Sequence, residues 1–120
     1  MKKRILVIDD DEDILEVLKM ILQDAGYQVI ISANRMAAEN ISAIKPDLLL
    51  LDLRLSGSDK DGAQICSELK SGEALQHLPV VLISAETNVD VIARECGANA
   101  YVQKPFDIHE LVSQVKEYIA

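Results

Sequence analysis

Tryptophan is absent from this chain, phenylalanine occurs once and tyrosine three times. A core of stacked rings is thereby excluded, yet 49% of the residues are hydrophobic, so the interior has to be aliphatic. Positive charge is also scarce: 12 Lys and Arg stand against 20 Asp and Glu, a net charge of −8. Such a surface repels phosphate backbones and anionic lipid, which argues against direct binding of nucleic acid or membrane. Long apolar runs are missing as well. Stretches such as Leu48 to Leu51 fall far short of the roughly 20 residues of a membrane helix. The start Met1-Lys2-Lys3-Arg4 leads into four apolar residues before an acidic cluster, unlike a signal peptide. Cys66 and Cys96 are distant in sequence and form no metal-spaced motif; they read as reduced packing residues of a cytoplasmic protein. No linker, repeat or shift in composition divides the 120 residues, so residues 1–120 are expected to form one domain.

Short apolar runs alternate with longer segments of helical period, the pattern of a parallel sheet covered on both faces. The runs are Ile5 to Ile8, Tyr27 to Ile31, Leu48 to Leu51, Val80 to Ile83 and Ala100 to Gln103. Between the first two, Ile14, Leu15, Leu18, Ile21 and Leu22 mark one side of a helix, with Asp11, Glu12 and Asp13 at its positive end and Gly26 past its close. Further helices are expected from about Asn34 to Ile44, before Pro46, from about Gly62 to Lys70, and from about Asn88 to Gly97. The last follows an Asp107-x-x-Glu110 capping box, with Phe106 set to staple against Leu111. Five such units without a hairpin signal fit an open doubly wound sheet better than a barrel, which needs eight. Function is then expected at the carboxyl ends of the strands.

Chemically active groups collect at those ends. The first run enters Asp9-Asp10-Asp11, the third ends on Asp52, the fourth on Ser84, and the fifth delivers Lys104. Taken singly, each has an ordinary reading: aspartates cap helices, a serine fills a turn, a lysine is solvated. Together they require more. Carboxylates crowded on one edge repel one another unless a cation neutralises them, and oxygen-only donors favour a hard divalent ion such as Mg²⁺. A lysine and a hydroxyl beside it form a receptacle for phosphoryl oxygens, and a carboxylate there is a competent phosphoryl acceptor.

The segments Ile5-Leu6-Val7-Ile8-Asp9-Asp10-Asp11, Pro46-Asp47-Leu48-Leu49-Leu50-Leu51-Asp52, Val81-Leu82-Ile83-Ser84-Ala85 and Lys104-Pro105-Phe106 together resemble the receiver domain of bacterial response regulators, over essentially the whole chain. That resemblance implies a flavodoxin-like (βα)5 fold, a five-stranded parallel sheet of order 2-1-3-4-5 with helices on both faces. It further implies that Asp52 takes a phosphoryl group from a sensor histidine kinase or histidine phosphotransfer protein. Asp9 and Asp10, with Asp52 and the main-chain carbonyl of Arg54, would hold Mg²⁺, for which Mn²⁺ can substitute. Ser84 and Lys104 would meet the phosphoryl oxygens, and Tyr101 would be the aromatic switch residue. The output surface would be the fourth helix, fifth strand and fifth helix, read by a downstream effector or by a second copy in a phosphorylation-dependent homodimer. The same resemblance implies a cis Lys104-Pro105 peptide.

One stretch departs from the family pattern. Receivers usually carry Pro-Gly-x-Asp-Gly soon after the acceptor; here it reads Ser56-Gly57-Ser58-Asp59-Lys60-Asp61-Gly62, two residues longer. Arg54 and Glu86, two positions beyond Asp52 and Ser84, would face each other at the entrance as an ion pair gating the site. Two other functions compete with a binding module that is not itself an enzyme. One is a phosphohydrolase with an aspartyl-phosphate intermediate, disfavoured because no general acid or cap accompanies Asp52. The other is a receiver-like interaction module that is never phosphorylated, disfavoured by the complete residue set.

Overall fold

The computed structural model describes residues 2–34, 36–54 and 60–119; Ser56 to Asp59 of the lengthened stretch lie outside the described residues. Ten elements alternate strictly: β1 (Arg4–Ile8), α1 (Glu12–Asp24), β2 (Gln28–Ser32), α2 (Ala38–Ile44), β3 (Leu48–Asp52), α3 (Lys60–Ser71), β4 (Val80–Ser84), α4 (Val89–Cys96), β5 (Ala100–Gln103) and α5 (Ile108–Ile119). The sheet is wholly parallel with the order β2-β1-β3-β4-β5, as the resemblance implies. No described helix is long and apolar enough to cross a membrane.

Because side chains alternate along a strand, each apolar run feeds two cores. Leu6, Ile8, Leu49, Leu51, Val80 and Leu82 pack with Ile41, Ile65, Leu69, Val89 and Ala93 of α2, α3 and α4. Ile5, Val7, Leu48, Leu50, Val81 and Ile83 turn the other way, onto Leu15, Leu18, Leu22, Leu111 and Val115 of α1 and α5. Every residue of β3 and β4 is buried, which is why those strands read as unbroken hydrophobic runs rather than alternating ones.

Local signals set most helix ends. Asp11 caps α1, its carboxylate accepting from the N–H of Asp13 and of Ile14; Gly26 follows at φ 101. Gly97 closes α4 in the left-handed region. Asp107 Oδ1 accepts from the N–H of His109 and of Glu110, the expected aspartate half of a capping box. Phe106 packs on the same cluster as Leu111.

One helix departs from expectation. The second begins at Ala38, four residues later than Asn34. Ser32 Oγ accepts from the Asn34 N–H and donates to the Asn34 carbonyl, a local bonding pattern that competes with a helical turn. Ala37 then stands at the N-cap in extended conformation, with no side-chain cap.

The β4–β5 ladder is fixed at both ends. At the amino end the Asn99 N–H donates to the Val80 carbonyl at 2.8 Å, while Asn99 Oδ1 accepts from the Val80 N–H at 3.0 Å. Lys70 Nζ donates to the same Oδ1 and to the Leu78 carbonyl, each at 2.7 Å. At the carboxyl end the Lys104 N–H donates to the Ser84 carbonyl at 2.8 Å.

Candidate acidic phosphoacceptor site

Parallel strands place Asp9, Asp52, Ser84 and Lys104 along one edge, each at or just past the end of its strand. Asp9 and Asp52 are buried and Asp10 is exposed, and the three offer carboxylate oxygens all within 4.8 Å of one another. Two backbone groups hold the buried pair. Asp9 Oδ1 accepts from the Asp11 N–H at 2.9 Å, and Asp52 Oδ1 accepts from the Arg54 N–H at 3.3 Å. Lys104 Nζ bridges the other oxygens, 3.1 Å from Asp9 Oδ2 and 3.6 Å from Asp52 Oδ2. The Lys104–Pro105 peptide is cis.

One ammonium cannot balance the buried carboxylates of Asp9 and Asp52 with a third, Asp10, at their rim. Burial, and then the charge of Asp9, push the Asp52 carboxyl up to about 7, against the pull of Lys104 and of the Arg54 N–H. The donor set is therefore hard, oxygen-only and under-neutralised, and it fits a divalent cation of the Mg²⁺ type.

Ser84 is 2% exposed. Its Oγ accepts from the Glu86 N–H at 2.9 Å, a bond that does not use the hydroxyl proton. Glu86 in turn forms the expected ion pair with Arg54, Nε to Oε1 at 3.0 Å. Tyr101 lies away from this cluster, 42% exposed, beside a depression of about 650 Å³ between α4 and α5; its carbonyl accepts from Gln114 Nε2.

Reading the residues alone missed two structural supports. Lys104 pairs more closely with Asp9 than with Asp52, a preference that residue types at strand ends do not disclose. Gly62 lies against the acceptor from behind: its N–H donates to the Leu53 carbonyl at 3.1 Å, and a β-carbon there would strike the Asp52 carbonyl and come within 2.6 Å of Leu53 Cα. The only sequence signal for that approach is the glycine itself, read earlier as a loop residue and helix start.

The family model of the response regulator receiver domain matches residues 5–116. The chain belongs to the receiver domain family. Among curated proteins it is 38% identical over 119 residues to the DNA-binding response regulator MtrA of Mycolicibacterium smegmatis, covering 97% of this chain and 50% of that protein. The chain thus spans about half the length of the curated relatives it matches. Among solved structures, the signal receiver domain of a signal transduction histidine kinase from Syntrophus aciditrophicus is 32% identical with a TM-score of 0.86, covering 98% of this chain and 89% of that one. A two-component response regulator from Clostridium difficile is 28% identical with a TM-score of 0.81, covering 98% and 96%. As in other receivers, the acidic cluster with its buried lysine bridge has the geometry of a phosphotransfer site. It is the arrangement of a phosphorylation-controlled switch module rather than of a classical enzyme.

Proposed function

We propose that residues 1–120 act as one receiver domain that accepts a phosphoryl group on Asp52 in the cytoplasm, and thereby changes the surface it offers to partners. The observation that carries this reading is a buried carboxylate 3.6 Å from a lysine ammonium and within 4.8 Å of two further carboxylates. Asp9, Asp10, Asp52 and the main-chain carbonyl of Arg54 would hold Mg²⁺ or Mn²⁺. When bound, the cation supplies positive charge that favours the carboxylate form of Asp52 and offsets the charge of phosphoryl oxygens.

The chain's own residues perform the rest. An Asp52 carboxylate oxygen attacks phosphorus, the new O–P bond forms, and the P–N bond to a donor histidine breaks with its electron pair left on the imidazole. Lys104 neutralises a phosphoryl oxygen, and the Ser84 hydroxyl donates to another. Drawing Ser84 toward the phosphoryl group opens space beside Tyr101, whose ring moves inward and reshapes the α4–β5–α5 face. A histidine kinase or phosphotransfer protein would be the donor. The modified face would be read by an effector or by a second phosphorylated copy.

Incubation with Mg²⁺ and a small phosphodonor such as acetyl phosphate tests the reading, with intact mass as the readout. Addition of one phosphoryl group, lost in Asp52→Asn, is expected. Steady turnover of the donor without a stable adduct would favour a phosphohydrolase. No reaction at all would favour a module that is never phosphorylated.

A further inference from the structure

Outside the acidic edge, the two cysteines meet where α3 packs on α4. Cys66, on α3, is fully buried; Cys96, in the last turn of α4, is 8% exposed. Cys66 Sγ donates to the Cys96 carbonyl oxygen at 3.5 Å, and Cys96 Sγ donates to the Ala93 carbonyl at 3.7 Å. Two residues 30 positions apart thus meet where the helices pack, although neither forms a disulfide. Cys96 also lines an open groove of about 400 Å³ between the helices, beside Gln64, Ser67, Ile92 and Glu95. Cys96 therefore borders a solvent groove, and Cys66 is fully buried beside it.

We propose that Cys66 and Cys96 are a redox-modification site, a dithiol that a peroxide converts into an intramolecular disulfide joining α3 to α4.

The two thiols have different parts in this reaction. The neighbouring Cys66 thiol, opposed by burial and assisted by the Ala98 N–H, pulls the Cys96 thiol down, while the Cys96 thiol and burial push the Cys66 thiol up. Cys96, the one of the two that borders the groove, is the attacking group in its thiolate form. Its sulfur takes one oxygen from hydrogen peroxide as the O–O bond breaks, giving a sulfenic acid and hydroxide. Cys66 then displaces that oxygen, the S–S bond forms, and the oxygen leaves as water carrying the Cys66 proton. The two sulfurs together lose two electrons and the peroxide gains them. The hydroxide takes up a solvent proton, so one peroxide and two thiols give one disulfide and two waters.

The surroundings favour a bond within one chain. Cys66 cannot reach a second molecule, and the Lys70 stem packs over Gly97 beside the pair. Closing the bond requires the sulfurs to reach about 2.05 Å, and the Cys66 sulfur already lies 3.5 Å from the Cys96 main chain. The site does not depend on phosphoryl acceptance at Asp52, so either reading can fail without the other.

The test uses the full chain, treated with hydrogen peroxide, denatured, alkylated without reductant and analysed by mass and peptide mapping. Expected is a monomer lacking two hydrogens, a Cys66–Cys96 cross-linked peptide, joint loss of both alkylation sites, and full reversal by dithiothreitol. In Cys66→Ser the oxidation should stop at a dimedone-trapped sulfenic acid on Cys96. In Cys96→Ser, Cys66 should oxidise at least about tenfold more slowly than Cys96 does in the parent. The wild-type measurement stands even if a variant misfolds. Retention of both thiols under peroxide that oxidises free cysteine in the same tube would overturn the proposal. So would a disulfide between chains, or oxidation of Cys96 that leaves Cys66 alkylatable.

Discussion

Arg54 and Glu86 meet across the mouth of the acidic cluster, Nε to Oε1 at 3.0 Å, with side chains 60% and 32% exposed. An ion pair so solvated contributes only ~0–1 kcal/mol to stability. On the proposed function, its larger effect would be on water. Hydrolysis of a phosphorylated Asp52 needs a water aligned opposite the leaving carboxylate, and this pair would obstruct that approach without offering an amide to orient one. Arg54→Asn is therefore expected to shorten the lifetime of the phosphorylated state several-fold, with a smaller change in the rate of acceptance. Decay of the labelled protein after removal of donor measures it; an unaltered lifetime would show that the bridge gates nothing.

The crowded carboxylates make stability depend on cation. Thermal midpoint should rise with millimolar Mg²⁺, since a ligand at ten times its Kd stabilises the folded state by about 1.4 kcal/mol. Asp10→Ala removes the exposed member of the trio and should abolish most of that rise while leaving the fold intact. A mutant that responds to Mg²⁺ like the parent would place the ion elsewhere.

Gly62 gives a steric prediction. Its missing side chain is what allows α3 to approach the Asp52–Leu53 backbone, where a β-carbon meets main-chain atoms that cannot swing aside. Gly62→Ala is expected to cost about 1–3 kcal/mol, as overpacking does, and to slow phosphoryl acceptance by displacing Asp52. Urea midpoints and labelling rates read the two effects; normal values for both would mean that the backbones separate without penalty.

Tyr27 supplies the pH dependence. The ring is buried, its hydroxyl donates to the Ile119 carbonyl at 3.0 Å, and burial raises its pKa above the ordinary 10.0. A raised folded-state pKa means that the folded form holds the proton more tightly. Its contribution is thus complete below pH 10.0 and lost as pH climbs through the higher folded value. Tyr27→Phe should be about 1 kcal/mol less stable at neutral pH, yet lose less on going from pH 8 to strongly alkaline solution. Denaturant midpoints across that range decide it, and parallel profiles for the two proteins would show that another group titrates.

Sheet direction, helix count and the polar edge were legible because they rest on periodicity and on strand ends, which a linear sequence displays directly. Strand order was not, since parallel crossovers of similar length permit several orders, and it came only through resemblance. The start of α2 was misplaced because Asn34 looks like a helix cap, while Ser32, two residues earlier, claims its backbone first. Likewise the choice of Lys104 between Asp9 and Asp52 is a matter of tenths of an ångström, far below what residue type conveys. The Cys66–Cys96 meeting depends on the rotation of two helices about their axes, which the separate sequence positions gave no reason to pair.

Asn99 and Lys104 stand at opposite ends of a four-residue edge strand, a length at which strands slide easily. Asn99 grips Val80 with both its backbone and its amide oxygen, and Lys70 clamps that oxygen in place. At about 3.3 Å per residue, this anchor sits roughly 16 Å from the lysine it aligns. A slip of one residue would turn the neighbouring side chains to the opposite face and carry Lys104 out of reach of both carboxylates. The reach of the ammonium is therefore calibrated from the far side of the molecule, by an asparagine and a lysine that never touch the acidic cluster.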